Sequence, residues 1–314
     1  MLYKWPIVGH TKPITQLEND LRQNHLSHAY LFSGPSQIGK LLIARTLSQI
    51  LQCPNNFCRV CPSCKQIEKG QHINTFEFLD NGESLKIEEV RELLSHLSTT
   101  SNSDYKIVIM QNIERLTLEA ANALLKNIEE PISQVLFLLT TTCKQKLLPT
   151  LVSRTRNVSF ASLSESLIKD YLLQIRPDLD SKTLEMITVF SMGKPGRAKI
   201  LLQDTDYLRF FQDFYDQIIK LFEHSNTTDR FMFVENFYKN QNEIKIFLEL
   251  FLYMTRGLLY KKMEGKIVTY TYSELFQMID ALAKTRFDLE RNINTRLSLE
   301  NLLLFMPQRE EILS

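Results

Sequence analysis

No stretch of this sequence approaches the roughly 20 consecutive apolar residues that a membrane-spanning helix needs, and its charges almost cancel, with 37 Lys and Arg against 36 Asp and Glu. The first absence argues against a membrane protein. The second removes any global field with which to grip nucleic acid unaided, so contact with DNA has to be local or shared with partners. The N-terminal residues Met1 to Pro6 lack the apolar run and small-residue cleavage site of a secretory signal, which points to a cytoplasmic chain. Internal repeats and low-complexity tracts are missing too, which argues against a solenoid. What remains, 314 residues with 44% hydrophobic content, suffices for two or three domains with substantial cores.

The first 160 or so residues alternate strand and helix patterns. Tyr30 to Ser33 is an apolar run, followed by helical spacing over Lys40 to Leu51 (Leu42, Ile43, Leu47, Ile50, Leu51). Phe76 to Leu79 reads as a second strand and Ile87 to Leu97 as a helix. Lys106 to Met110 and Val135 to Leu139 are continuous apolar runs, as expected of strands buried on both faces of a parallel sheet. Between them, residues 118 to 130 predict a helix with Thr117 as its N-cap, Leu118, Ala121, Leu125 and Ile128 on one face, and Pro131 just beyond its end. Such alternation implies a doubly wound α/β domain with ligands at the carboxyl ends of its strands. From about Ser162 the pattern turns helical, apart from the β-prone Ile267 to Tyr272.

Two further absences are chemical. Residues 34 to 41, Gly-Pro-Ser-Gln-Ile-Gly-Lys-Leu, form a phosphate-binding P-loop between a predicted strand and a predicted helix. Its last position should carry a Ser or Thr hydroxyl for Mg²⁺ and carries Leu41 instead. The loop amides between Gly34 and Gly39 and the side chain of Lys40 remain suited to phosphates. At the end of the strand at 107 to 110, where a hydrolase needs an Asp for the metal shell and a Glu to polarise water, the residues are Gln111 and Asn112. Neither amide can serve as a general base or supply the negative charge a hard dication prefers. Glu114 lies three residues further on and would need a different loop path to substitute. Hydrolysis by this chain alone is not expected, and nucleotide binding is left open.

Cys53, Cys58, Cys61 and Cys64 place four soft ligands within 12 residues, a spacing that suits a closed tetrahedral zinc site. Unmetallated thiols and a redox pair are the alternatives. Cys143 stands apart near a strand end. Arg154, in Ser153-Arg154-Thr155, and Arg197, after Gly193-Lys194-Pro195-Gly196, have no chemistry that the residues alone assign. The aromatic stripes Phe210, Phe211, Phe214, Tyr215 and Phe222, and Phe247 and Phe251, read as core or subunit interface.

The string His28 to Pro35, the four cysteines, Ala121 to Pro131, Ser153-Arg154 and Gly193 to Ala198 occur in an order and at separations that resemble the delta-prime subunits of the bacterial DNA polymerase III clamp loader, close relatives of the tau/gamma subunits. The match is specific over about residues 7 to 203 and rests on length and helical character beyond. It implies an AAA+ α/β P-loop domain over 1–161 with a zinc module at 53–64, a helical lid over 162–203 and an all-α collar over 204–314. It also implies a stator role in a five-subunit ring with tau/gamma-type and delta subunits, which loads the sliding clamp onto primed DNA. In that role Arg154 is an arginine finger acting in trans on a neighbour's ATP, and Arg197 is the lid sensor of a degenerate nucleotide site with Gly34, Gly39 and Lys40. The usual Cys after the finger is Thr155 here. Val8-Gly9-His10, in a first strand pair, matches the segment that flanks the adenine pocket.

Three readings follow: a non-hydrolysing ring subunit supplying a finger, an active ATPase motor that would need a compensating acid, and a regulatory AAA+ module outside replication. Partner binding separates the first from the third, and hydrolysis by the purified subunit separates the second.

Overall fold

The apolar runs pair as a five-stranded parallel sheet of order β2-β3-β4-β1-β5, built from β1 (Ala29–Ser33), β2 (Thr75–Phe78), β3 (Lys106–Met110), β4 (Val135–Thr141) and β5 (Arg156–Ser159). The computed structural model describes residues 3–97, 105–130, 135–223, 226–291 and 293–307. Every residue of β1, β3 and β4 is buried, because successive side chains feed two cores on opposite faces. Tyr30, Phe32, Ile107, Ile109, Leu136 and Leu138 pack on one side with α1 (Thr11–Arg22) and α2 (Lys40–Gln52). Leu31, Val108, Met110, Phe137 and Leu139 pack on the other with α4 (Ile87–Leu97), α5 (Leu118–Glu129) and α6 (Pro149–Arg154). Between α2 and β2 lies the short α3 (Pro62–Glu68). A fully buried aliphatic or aromatic side chain contributes about 1.5–3 kcal/mol, so these two layers carry the sheet. The chain leaves β1 for the far edge, returns through β3 to β4, then crosses to β5. The phosphate-binding loop therefore opens at the carboxyl end of β1, an inner strand between β4 and β5, where such sheets bind ligands.

Three local readings change. Val8-Gly9-His10 forms no strand: Gly9 and His10 are left-handed (φ 64° and 53°), and His10 is the N-cap of α1. Thr117 caps α5 through the Ala120 N–H, yet the buried stripe is Ala120, Ala121, Leu124 and Ile128, while Leu118 is exposed. The two stripes share Ala121 and Ile128, and Leu125 packs partly buried against the same core, so the buried face is turned towards Ala120 and Leu124 and away from Leu118. Ile267 to Tyr272 is a turn into the next helix rather than a strand, with Ile267 fully exposed. The backbone there ends in a capping box at Thr271 and Glu274 instead. Pro131 lies outside the described residues.

By contact the chain forms two compact units, Met1–Leu201 and Leu202–Ser314. In the first, α7 (Glu165–Ile175), α8 (Ser181–Ser191) and all but the last two residues of α9 (Pro195–Gln203) follow β5. The second holds α10 (Thr205–Glu223), α11 (Thr227–Phe237), α12 (Gln241–Met263), α13 (Tyr272–Glu290) and α14 (Thr295–Leu304). Its aromatic stripes meet one another: Phe214 with Phe237 (5.5 Å between ring centres), Phe233 with Phe247 (5.6 Å), and Phe251 with Phe222 (5.3 Å). Among the described residues no helix is long and apolar enough to cross a membrane.

Candidate functional site

The loop from β1 to α2 is shaped by what its glycines make possible. Gly34 has φ 149°, and a Cβ there would fall 2.2 Å from the Phe160 carbonyl oxygen, so only glycine lets β5 and the loop approach this closely. Gly39, at φ 107°, turns the chain into α2 as its N-cap. Lys40 is buried and donates from Nζ to the carbonyls of Gly34 (2.6 Å) and Pro35 (2.7 Å). Burial pushes its pKa down to about 8, against the attraction of Glu114 and with the repulsion of Lys194. Leu41, where a metal-binding hydroxyl would stand, packs against the core of the sheet instead.

α9 closes the other side. Gly196 N–H donates to the Gln37 carbonyl (2.9 Å), and a Cβ on Gly196 would meet that oxygen at 2.6 Å. Arg197, buried, donates from Nε to Gln37 Oε1 (3.0 Å). Gly34, Gly39, Lys40 and Arg197 thus converge on one loop. So does Lys194, a buried lysine that sequence reading passed over. Its signal was present, since it belongs to the same Gly-Lys-Pro-Gly string as Arg197.

At the end of β3 the two amides are both tied to Asp80. Gln111 Oε1 accepts from the Asp80 N–H (3.3 Å), and Asn112 Nδ2 donates to Asp80 Oδ2 (2.6 Å). Arg115 Nε pairs with the other oxygen of Asp80 at 3.1 Å. These contacts knit the loop after β2 to the end of β3, and the two amides themselves cannot take up a proton as a base.

The four cysteines assemble at the opposite end of α2, about 20 Å from Lys40 by the 1.5 Å rise per residue. Cys53 is the C-cap of α2 and Cys61 the N-cap of α3, where its sulfur accepts from the Cys64 N–H. All four sulfurs lie within 4.8 Å of one another, with Cys53 Sγ 3.7 Å from Cys58 Sγ and 3.8 Å from Cys61 Sγ. A tetrahedron of thiolates at about 2.3 Å from zinc has edges of about 3.8 Å, so the set fits that ion and is too open for a disulfide. The Cys58 N–H and Cys61 N–H each donate 3.3 Å bonds to the preceding cysteine sulfur. Backbone N–H groups of Val60 and Cys61 hold the Cys58 thiol down at about 6, while burial pushes Cys64 up to about 12. The site could hold a zinc ion with no position left open.

Arg154 stands apart from both centres, at the last turn of α6, with its side chain 42% exposed. Its Nε pairs with Glu129 at the end of α5, and Nη1 donates to the Thr150 carbonyl (3.3 Å). Thr155 is buried, and its hydroxyl donates to the carbonyls of Leu151 (3.1 Å) and Val152 (3.2 Å). The Thr155 hydroxyl is thereby satisfied within α6.

Comparison with known proteins agrees with this geometry. Residues 9–164 match the family described as DNA polymerase III, delta subunit. Over 98% of its length the chain is 26% identical to the delta' subunit of DNA polymerase III from Bacillus subtilis, all of which it covers. It is 38% identical over 174 residues to the tau/gamma subunit from Haemophilus influenzae, of whose length it spans 25%. Among solved structures, a DNA polymerase III gamma subunit-related protein from Thermotoga maritima shares the fold, with a TM-score of 0.50 and 21% identity over 93% of this chain and 98% of that one. The chain belongs to the AAA+ clamp-loader family of DNA polymerase III subunits.

Proposed function

We propose that this chain is a delta-prime-type stator of the clamp loader, which cleaves no ATP itself and lends Arg154 in trans to a tau/gamma-type neighbour as the sliding clamp is loaded onto primed DNA. The observation that carries the reading is the state of the strand end. Gln111 and Asn112 are tied to Asp80, and Leu41 is turned into the core, so both the metal ligand and the water-polarising base of a hydrolase are replaced by structural contacts. Arg154 supports the second half. An exposed ion pair such as Arg154–Glu129 is worth under about 1 kcal/mol, so the guanidinium exchanges Glu129 for a phosphate at little cost. A guanidinium presents a planar fork that matches γ-phosphate oxygens. A finger supplied this way contributes about 10³ to 10⁵ in rate.

In this reading residues 162–203 serve as the lid and 204–314 as the collar that joins the ring with delta and tau/gamma-type subunits. The four cysteines hold a structural zinc that ties α3 to α2. The test is ATP turnover by a tau/gamma-type subunit with delta, clamp and primed DNA, in the presence of this chain or its Arg154→Ala form. Turnover that needs the wild-type chain and collapses with the substitution is the expected result. Equal turnover from both forms removes Arg154 from the mechanism, and turnover by this chain alone overturns the stator reading.

A further inference from the structure

By spacing alone Glu114 falls too far beyond β3 to replace the missing strand-end acids unless the loop takes another path. It does take one. Asn112 adopts a left-handed conformation (φ 52°) and Ile113–Arg115 form a single 3-10 turn, which carries Glu114 across the end of β4. There Oε1 of Glu114 accepts from the Thr142 N–H (2.8 Å) and from the Thr142 hydroxyl. The residue before it, Thr141, accepts from Gly34 N–H (3.2 Å), and the Gly34 carbonyl accepts from Lys40 Nζ (2.6 Å). The carboxylate therefore stands beside the phosphate-binding loop. Its second oxygen, Oε2, is sealed from solvent without a hydrogen-bond partner, which leaves a strong acceptor that feels the charge of Lys40 and accepts from no donor.

We propose that Glu114 is the carboxylate ligand of a divalent cation that enters together with the phosphates of a nucleoside di- or triphosphate, so that this loop retains a nucleotide it has no means to cleave. A hard dication seeks an anionic oxygen, and Oε2 supplies one where Leu41, Gln111 and Asn112 do not. Two buried lysines, Lys40 and Lys194, repel a bare cation and attract phosphates, so metal and nucleotide have to arrive as one species. With Gln111 and Asn112 held on Asp80, no base is aimed at a water. The inference goes beyond the stator reading and stands whether or not Arg154 acts in trans. The competing arrangement, in which Glu114 is a resident counter-ion that takes the place of phosphate, predicts the opposite sign.

The experiment is titration of the full chain with a fluorescent ADP analogue, with MgCl₂ or with EDTA, for the wild type, Lys40→Met and Glu114→Gln. Gln keeps the acceptor for Thr142, and an unchanged thermal midpoint without nucleotide verifies the fold. The wild type is expected to bind about tenfold more weakly in EDTA, a difference of about 1.4 kcal/mol. Glu114→Gln is expected to bind in Mg²⁺ only as weakly as the wild type does in EDTA, and Lys40→Met to lose binding under both conditions. Tighter binding by Glu114→Gln, insensitive to Mg²⁺, makes the carboxylate a counter-ion and overturns the proposal. So does the absence of saturable wild-type binding up to about 1 mM nucleotide.

Discussion

Asn112 Nδ2 donates to Asp80 Oδ2 at 2.6 Å, and through that bond the end of β3 is fastened to the loop after β2. The bond gives the amide a positive role: a carboxylate at position 112 would face Asp80 with nothing to donate. Asn112→Asp is expected to lose about 1–2 kcal/mol at neutral pH, from the lost bond and the like-charge contact. Because the repulsion raises the pKa of the carboxylate pair, the loss is full above their ordinary range and shrinks as the pH falls and one oxygen is protonated. Urea midpoints of the two proteins at pH 7 and pH 4 measure this, and a constant difference across pH would mean that the carboxylates do not face each other.

The cysteine cluster makes a stoichiometric prediction. Protein purified without chelators should release about one equivalent of zinc when its thiols are titrated with a mercurial reagent in the presence of a zinc-sensitive dye. Cys64→Ala, which removes the most deeply buried sulfur, should abolish that release and expose the 53–64 segment to proteolysis. A wild-type protein with fully reactive thiols and no zinc would defeat the assignment.

Lys40 carries a pH signature. Burial lowers its pKa from 10.5 to about 8, so the unfolded chain binds more protons than the folded one between those values. The penalty of burying the ammonium is full below pH 8 and is relieved as the pH rises towards 10.5. The stability of the wild type relative to Lys40→Met should therefore rise across that window and be flat between pH 6 and about 7.5. Denaturant unfolding at a series of pH values tests it.

Arg230 is the most demanding residue of the second unit. It is 1% exposed and donates to the carbonyls of Leu303 (2.9 Å), Met306 (2.5 Å) and Pro307 (2.8 Å), closing the end of α14. Arg230→Met keeps the aliphatic stem but strands three carbonyls, and should cost about 3 kcal/mol. The guanidinium melting midpoint of the full chain reports it, and a loss below about 0.5 kcal/mol would show that water replaces the arginine.

Some of this was present in the string of residues. Local spacing set the strand–loop–helix around Gly34 to Lys40, because three continuous apolar runs fit only a sheet covered on both faces, and four thiols within 12 residues have few other uses. Leu41, Gln111 and Asn112 could be seen to lack metal and base chemistry because those functions depend on side-chain type alone. Tertiary packing decided the rest. Which face of α5 is buried was settled by packing, which turns Ala120 and Leu124 inward with Ala121 and Ile128 and leaves exposed the Leu118 that hydrophobic spacing places on the same stripe. The turn at 8–10 depended on two left-handed residues that apolar patterning does not register. Above all, the place of Glu114 followed from one positive φ at Asn112 and a hydrogen bond to Thr142, 28 residues away along the chain. Side-chain chemistry is written residue by residue, while its direction in space is set by backbone angles and distant partners.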